Sequence, residues 1–369
     1  MKNTRCLQQT VCILWTSCKT MWKIVAVILY EEESGMTKKV SRLGYIDFIK
    51  CIALNGIILA HVGSPSIVMM LRSFDVPCMV MLSSLLASYS YKKFSTNKFS
   101  VPNYLLFRFK RLVFPTWVFL TLYFGLYWLL SGHRYDVKYY LASYLLTRYG
   151  IGYVWIILIY LYCALLVPLF QKTGLKYKSI LSVLLLYLLY EIAYYLQLGT
   201  ENKILMSTLY YIIPYGSVAF LGFHYNAMSA KTKYCILSIS LFVFVSFAMY
   251  YRISEGSFQL VQISKYPPRL YYLSYGVLGS FTLLLLCEKL NFIWFSHPII
   301  QFISMHSMWI YLWHILWLTI YNVIKLPEIW LIKYPVVCIG AGLTVVIANK
   351  CFDLIEKKVH QEIFKYLRG

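Results

Sequence analysis

About ten apolar stretches of bilayer length, each near the 17 to 25 residues that span a membrane as helix, follow one another along the chain. They lie near residues 44–62, 67–90, 112–131, 152–170, 179–198, 204–223, 234–251, 270–287, 299–322 and 334–352. This pattern predicts an all-α polytopic membrane bundle of about ten transmembrane helices. The longer polar breaks fall at 91–111, 132–151 and 252–269, the last ending in Lys265-Tyr266-Pro267-Pro268-Arg269. The remaining breaks are short enough to join antiparallel neighbours. No repeat of fixed period and no low-complexity linker divides the chain, so residues 41–369 read as a single membrane domain. Residues 1–40 read as an N-terminal extension, weakly apolar and interrupted by Lys19 and Lys23, without a signal-peptide cleavage site. Met36-Thr37-Lys38-Lys39 looks like an ordinary start, while an extra interfacial helix upstream stays open.

Composition supports this class: 60% hydrophobic residues, 13% charged residues and a mean hydropathy of +0.63 exclude a soluble globule. A net charge of +21 would suggest nucleic acid in a soluble protein, but here its distribution reads as topology, with no nucleic-acid partner expected. Nineteen Lys and Arg fall on one set of loops, including Lys92, Lys93, Lys98, Arg108, Lys110 and Arg111; nine fall on the other. The positive-inside rule then puts both ends of the ten-helix core in the cytoplasm. The ten Cys are scattered, with no Cys-x-x-Cys or Cys/His spacing, so they are expected to be reduced packing residues and no metal is expected.

Against this background the polar residues inside spans stand out, since ionisable groups in a bilayer are costly and read as functional by default. Asp47, Lys50 and His61 share the first span, GYIDFIKCIALNGIILAHV. Eleven helical steps make three turns plus about 20°, which puts His61 almost directly above Lys50 and roughly 16 Å along the axis. An imidazole with an ordinary pKa near 6.5 suits general-base work. Asp47 and Lys50 could equally be a mutually neutralising pair.

Arg108-Phe109-Lys110-Arg111 precedes the third span. Arg108 and Arg111 are one turn apart on one face, a geometry that can clamp a phosphate or simply anchor lipid headgroups. Tyr311 and His314, also one turn apart, either line an acceptor cavity or hydrogen-bond a neighbouring helix. Glu191 suggests a helix–helix hydrogen bond, Arg72 and Asp75 a local pair, and Gly340-Ala341-Gly342 a close-packing notch. Among 35 Tyr and 10 Trp the interfacial belt is the default, although rings near the outer mouth can stack on sugars.

Taken together, these motifs resemble the integral-membrane acyltransferase-3 family, which includes O-antigen and exopolysaccharide O-acetyltransferases. Arg42, Tyr45, Ile46, Asp47, Lys50 and His61 match its opening pattern, Arg108 and Arg111 its Arg-x-x-Arg pair, and Ser307, Ile310, Tyr311, Leu312 and His314 a late pattern. In the second helix Phe74, Pro77 and Ser83 match, whereas Asp75 stands where a His is common and Ser84 replaces a usual Gly. The resemblance covers nearly the whole chain from about residue 42. It implies transfer of an acyl group, usually acetyl, from cytoplasmic acetyl-CoA to a hydroxyl of a lipid-linked or cell-surface carbohydrate.

On that reading His61, Lys50 and Asp47 are catalytic, with His61 as base or transient acyl carrier. Arg108 and Arg111 hold the acyl-CoA phosphates, and Tyr311 and His314 bind the acceptor. The enzyme would lie in the lipid bilayer of the bacterial inner (cytoplasmic) membrane, acting directly or through a separate extracytoplasmic transferase. The rival expectation is a transporter or flippase of a glycan or lipid precursor, although inverted repeats and paired broken helices are not found in the sequence.

Overall fold

The computed structural model describes residues 43–95, 101–290 and 292–359. The expected 1–40 extension, Arg42, Lys98, Lys365 and Arg368 lie outside them. The described residues form helices and no strand. In order these are α1 (Gly44–Leu59), α2 (Ser66–Leu71), α3 (Asp75–Ser95), α4 (Val101–Ser131), α5 (Val137–Tyr144), α6 (Trp155–Thr173) and α7 (Tyr177–Tyr195). There follow α8 (Lys203–Ser207), α9 (Leu209–His224), α10 (Ala230–Ser254), α11 (Leu270–Lys289), α12 (Pro298–Met305), α13 (Ser307–Val323) and α14 (Trp330–Val359).

Every apolar stretch read from the sequence is helical. Among the described residues eight helical segments are long and apolar enough to cross a membrane, and the pair α12 and α13 makes a ninth. This is an all-α, multi-pass membrane bundle. Two elements differ from the simple pattern.

First, α1 has 16 residues, about 24 Å at 1.5 Å per residue, and stops before His61. Its end is tightened: the His61 backbone N–H donates to Ile58 O at 2.9 Å, three residues back. Gly63 (φ +74°) and Pro65 then turn the chain, and Ser64 Oγ donates to Leu59 O at 2.8 Å. His61 therefore sits in a turn just past the helix, not on its last regular turn.

Second, the expected continuous span at 299–322 is broken at His306 by a bend of 79°. No Pro or Gly marks the break. Instead, α1 grips it, since Lys50 Nζ donates to Ser304 O at 2.7 Å and Asp47 Oδ1 accepts from Ser304 Oγ at 2.5 Å. An ammonium at the C-terminal end of α12 satisfies a helix-end carbonyl and complements the helix dipole.

The core forms around α3, which packs against α1, α6, α9 and α11. Lipid tails are as apolar as Leu, so helices in a bilayer associate through close packing at small residues. A Cβ on Gly222 of α9 would lie 2.3 Å from Met81 O, and one on Gly276 of α11 would lie 2.4 Å from Pro77 Cγ. The Gly340 notch is likewise filled by the Trp317 ring at 2.3 Å, while nothing lies within 4 Å of a Cβ on Gly342. At the periphery only 6% of the apolar window of α7 and of α10 is buried, against 61% for α11, so those two helices present their leucines to lipid. Glu191 on α7 accepts from Arg269 Nε at 3.2 Å and from the Leu270 N–H at 2.8 Å. This is the helix–helix role its isolation suggested.

Candidate functional site

The end of α1 brings His61 against α13. His61 Nδ1 and His314 Nε2 are 3.1 Å apart, with the rings stacked at 5.3 Å between centroids and the edge of Tyr153 packed on His61 at 4.6 Å. His314 is fully buried. Its Nδ1 contacts the carbonyl of Tyr311, and the Tyr311 hydroxyl donates to the carbonyl of Tyr153.

A backbone carbonyl only accepts, so the His314 proton belongs on Nδ1, and its Nε2 carries a lone pair. That lone pair takes the His61 Nδ1–H. His61 Nε2 is left unprotonated, as a base or nucleophile held by a second imidazole. His314, read from the sequence as lining an acceptor cavity or hydrogen-bonding a neighbouring helix, has both ring nitrogens engaged, one of them by His61.

A cavity of about 420 Å³ opens on the other side of Tyr311. Lys50, Leu54 and Ile57 line it from α1, Ser83 and Ser90 from α3, Arg108 and Arg111 from α4, Tyr160 from α6, and Trp309 and Tyr311 from α13. Arg108 Nη2 donates to Ser83 Oγ at 3.4 Å, while its buried Nε has no hydrogen-bond partner. The two arginines of the sequence motif therefore share one wall, and Lys50 joins them. Such a set of forked and point cations suits phosphate oxygens. Asp47, 6% exposed and bonded to Ser304, anchors the broken span and does not line the cavity.

The cavity and the histidine pair thus share one residue: Tyr311 lines the cavity, and its backbone carbonyl contacts His314. Residues that sequence reasoning passed over also build the site. Tyr153 was hidden among 35 tyrosines, and Ser304 carries no motif. Ser83 was noted only in the second-helix pattern. Asp75, by contrast, forms with Arg72 the local pair that the sequence suggested, buried and 2.5 Å long. Among the described residues no cluster of His, Cys, Asp and Glu suits a metal ion.

The sequence pattern of the acyltransferase-3 family, an acyltransferase domain, matches residues 43–367, and the chain belongs to this family. It is a membrane acyltransferase. Neither a curated protein nor a solved structure matches it.

Proposed function

We propose that the protein transfers an acyl group, most simply acetyl, from acyl-CoA to a hydroxyl of a cell-surface or lipid-linked carbohydrate at the opposite face of a bacterial inner membrane. The observation that carries this reading is that one residue, Tyr311, both lines a cavity walled by Arg108, Arg111 and Lys50 and contacts the His61–His314 pair. The positive-inside count supports a cytoplasmic Arg108 end, where acyl-CoA is available.

On this reading the coenzyme A phosphates rest on Arg108, Arg111 and Lys50, and the thioester arm points along the cavity toward Tyr311. His61 Nε2 takes the proton of the acceptor hydroxyl as its oxygen bonds to the thioester carbonyl. The tetrahedral intermediate then collapses, the carbon–sulfur bond breaks, and coenzyme A leaves as the thiol after receiving the proton held on His61. His314 keeps the His61 ring in the tautomer that presents Nε2, much as an orienting group does for a catalytic imidazole in other acyl transfers. A carbohydrate acceptor is also supported by stacked tyrosines beside the loop after α4. Tyr127 and Tyr135 lie 4.7 Å apart between centroids, and Tyr135 and Tyr139 lie 4.3 Å apart, flat rings of the kind that stack on sugar faces.

The test is acetyl-CoA turnover by the purified protein, together with the O-acyl content of glycans from producing and deletion strains. Acetyl-CoA consumption that needs His61, and acyl groups lost on deletion, support the reading. A deletion strain with fully acylated glycan, and purified protein inert to acetyl-CoA, would return the transporter alternative, for which the broken span at His306 is the motivating feature.

A further inference from the structure

Beyond the arginine cavity and the histidine pair, polar side chains collect at one other place in the bundle. The segment between α10 and α11 folds back over the His61 end. Gln262 Nε2 donates to Met69 O at 3.3 Å and to Ser73 Oγ at 3.2 Å, on either side of Arg72. This contact carries Lys265 inward until only 6% of it is exposed. Its Nζ makes no hydrogen bond or ion pair with any described residue, and lies 5.3 Å from the Tyr266 ring centroid and 6.0 Å from that of Tyr272.

Around it the available groups are predominantly donors. Arg72 pairs with Asp75 through Nη1, but its buried Nε has no partner. The buried hydroxyls of Tyr215 and Tyr272 lie close to each other, and neither hydrogen-bonds any other described residue. Arg148 closes the far side, 4.2 Å over the Tyr266 ring and donating to the Tyr211 hydroxyl at 2.7 Å. The single carboxylate, Asp75, is already taken by Arg72 and by the Val76 N–H at 2.6 Å. Three cations thus face one neutralised acid.

This cationic cluster, the chamber-like end of the bundle walled by buried side chains, lies beside His61. Gly56 of α1, five residues before His61, packs under the Asp75 and Arg72 side chains, and both Arg72 and Lys265 lie within electrostatic range of His61. Buried donors left unmet are costly, so a cluster of them beside a reactive group marks a place built for a ligand. Burial pushes the Lys265 ammonium down from its usual range to about 8, Asp75 opposing and Arg72 and Arg148 adding to the push.

We infer that Lys265, Arg72, Arg148, Tyr215 and Tyr272 form an anion-binding subsite for the acceptor, which holds a carboxylate or phosphate of the carbohydrate so that a neighbouring hydroxyl meets His61. This inference rests on the acyltransferase reading and narrows its substrate class to anionic carbohydrates: a neutral sugar oxygen can accept these hydrogen bonds, but only an anion also neutralises the buried ammonium. The carboxylate and phosphate sources are separable by experiment.

The experiment measures binding of methyl glucuronide, methyl glucoside and inorganic phosphate to the purified full chain by isothermal titration. Wild type and Lys265→Met are compared in detergent, with coenzyme A binding as the measure of intact fold. The glucuronide or phosphate should bind wild type at least about tenfold more tightly than the glucoside, as expected for hydrogen bonds to a charged group. Lys265→Met should erase the difference without altering coenzyme A affinity, and Lys265→Arg should restore part of it. Preference for glucuronide assigns the anion to a sugar carboxylate, and preference for phosphate to a phosphorylated or lipid-linked acceptor.

Equal or undetectable binding of all three probes overturns the inference, as does a preference that survives in Lys265→Met. So does competition by phosphatidylglycerol but not phosphatidylcholine in nanodiscs, which gives the chamber to a lipid headgroup. Should Lys265→Met lose coenzyme A binding through misfolding, Arg148→Gln is measured instead, with the same reduction in anion preference expected and its absence overturning the proposal. Wild type that binds the anions but neither binds coenzyme A nor turns over acetyl-CoA would sink the functional reading and leave the anion site standing.

Discussion

Two cationic regions flank the histidine pair, and they are built in opposite ways. In the cavity Arg108 is half-buried, Arg111 is exposed and Lys50 reaches the same space from α1. In the chamber Arg72 and Lys265 are 5% and 6% exposed, and Arg72 is locked to a carboxylate that is fully buried. The first group presents charge to an open volume. The second withdraws charge from solvent, which is expensive unless a partner neutralises it. The same residue types should therefore fail differently: cavity cations through ligand affinity, chamber cations first through the fold or acceptor binding.

The largest expected effect lies between the two regions. His61→Ala should lower acyl transfer by at least the 10²- to 10⁴-fold typical of a general base while coenzyme A binding stays near wild type, measured as acetyl-CoA turnover beside titration of coenzyme A. Because His314 acts through His61, adding His314→Ala to His61→Ala should cost almost nothing further, the non-additivity of residues that work as a unit. An additional large loss in the double variant would show that His314 works independently.

Next comes a direct contrast of stability. Arg72→Ala leaves Asp75 buried without its ion-pair partner, so thermal unfolding in detergent should show a loss of about 3–5 kcal/mol. Arg108→Ala, whose Nη2 makes a long 3.4 Å hydrogen bond to Ser83 Oγ, should unfold close to wild type. Equal destabilisation of both variants would erase the distinction between the regions.

These contrasts also separate what the sequence could and could not convey. Helix positions were legible because bilayer length and apolar composition are local properties, and each apolar stretch became a helix. Asp47, Lys50 and His61 stood out because charge inside a span is conspicuous, and Arg108 and Arg111 because they lie one turn apart just before one. The break at His306 was not: Ser304-Met305-His306-Ser307 has no breaker, and the groups that hold it come from Lys50, 254 residues earlier in the chain. The His61–His314 contact likewise joins residues 253 apart, so each imidazole could be chosen but not their pairing. Lys265 looked like an ordinary loop cation, since only the fold-back through Gln262 buries it.

The smallest expected effect tests the cavity, where ligand binding should fall while the fold holds. If Arg108 and Arg111 hold coenzyme A phosphates, Arg111→Ala should weaken coenzyme A binding by about 1.5–3 kcal/mol, the range for a hydrogen bond to a charged group, or roughly tenfold to a hundredfold. Arg111→Lys should recover only part of this, because an ammonium keeps the attraction but loses the planar fork that matches two phosphate oxygens. Lys50→Met adds a further discrimination. Its ammonium caps the end of α12 as well as lining the cavity, so this change should lower both affinity and thermal stability, where Arg111→Ala lowers affinity alone. Titration of coenzyme A and thermal shift on the same detergent samples give both readouts. Unchanged affinity in Arg108→Ala and Arg111→Ala together would make the pair a headgroup anchor and leave Lys50 as a structural clasp on the broken span. The two regions would then differ in burial but not in the kind of ligand contact the comparison assigns them.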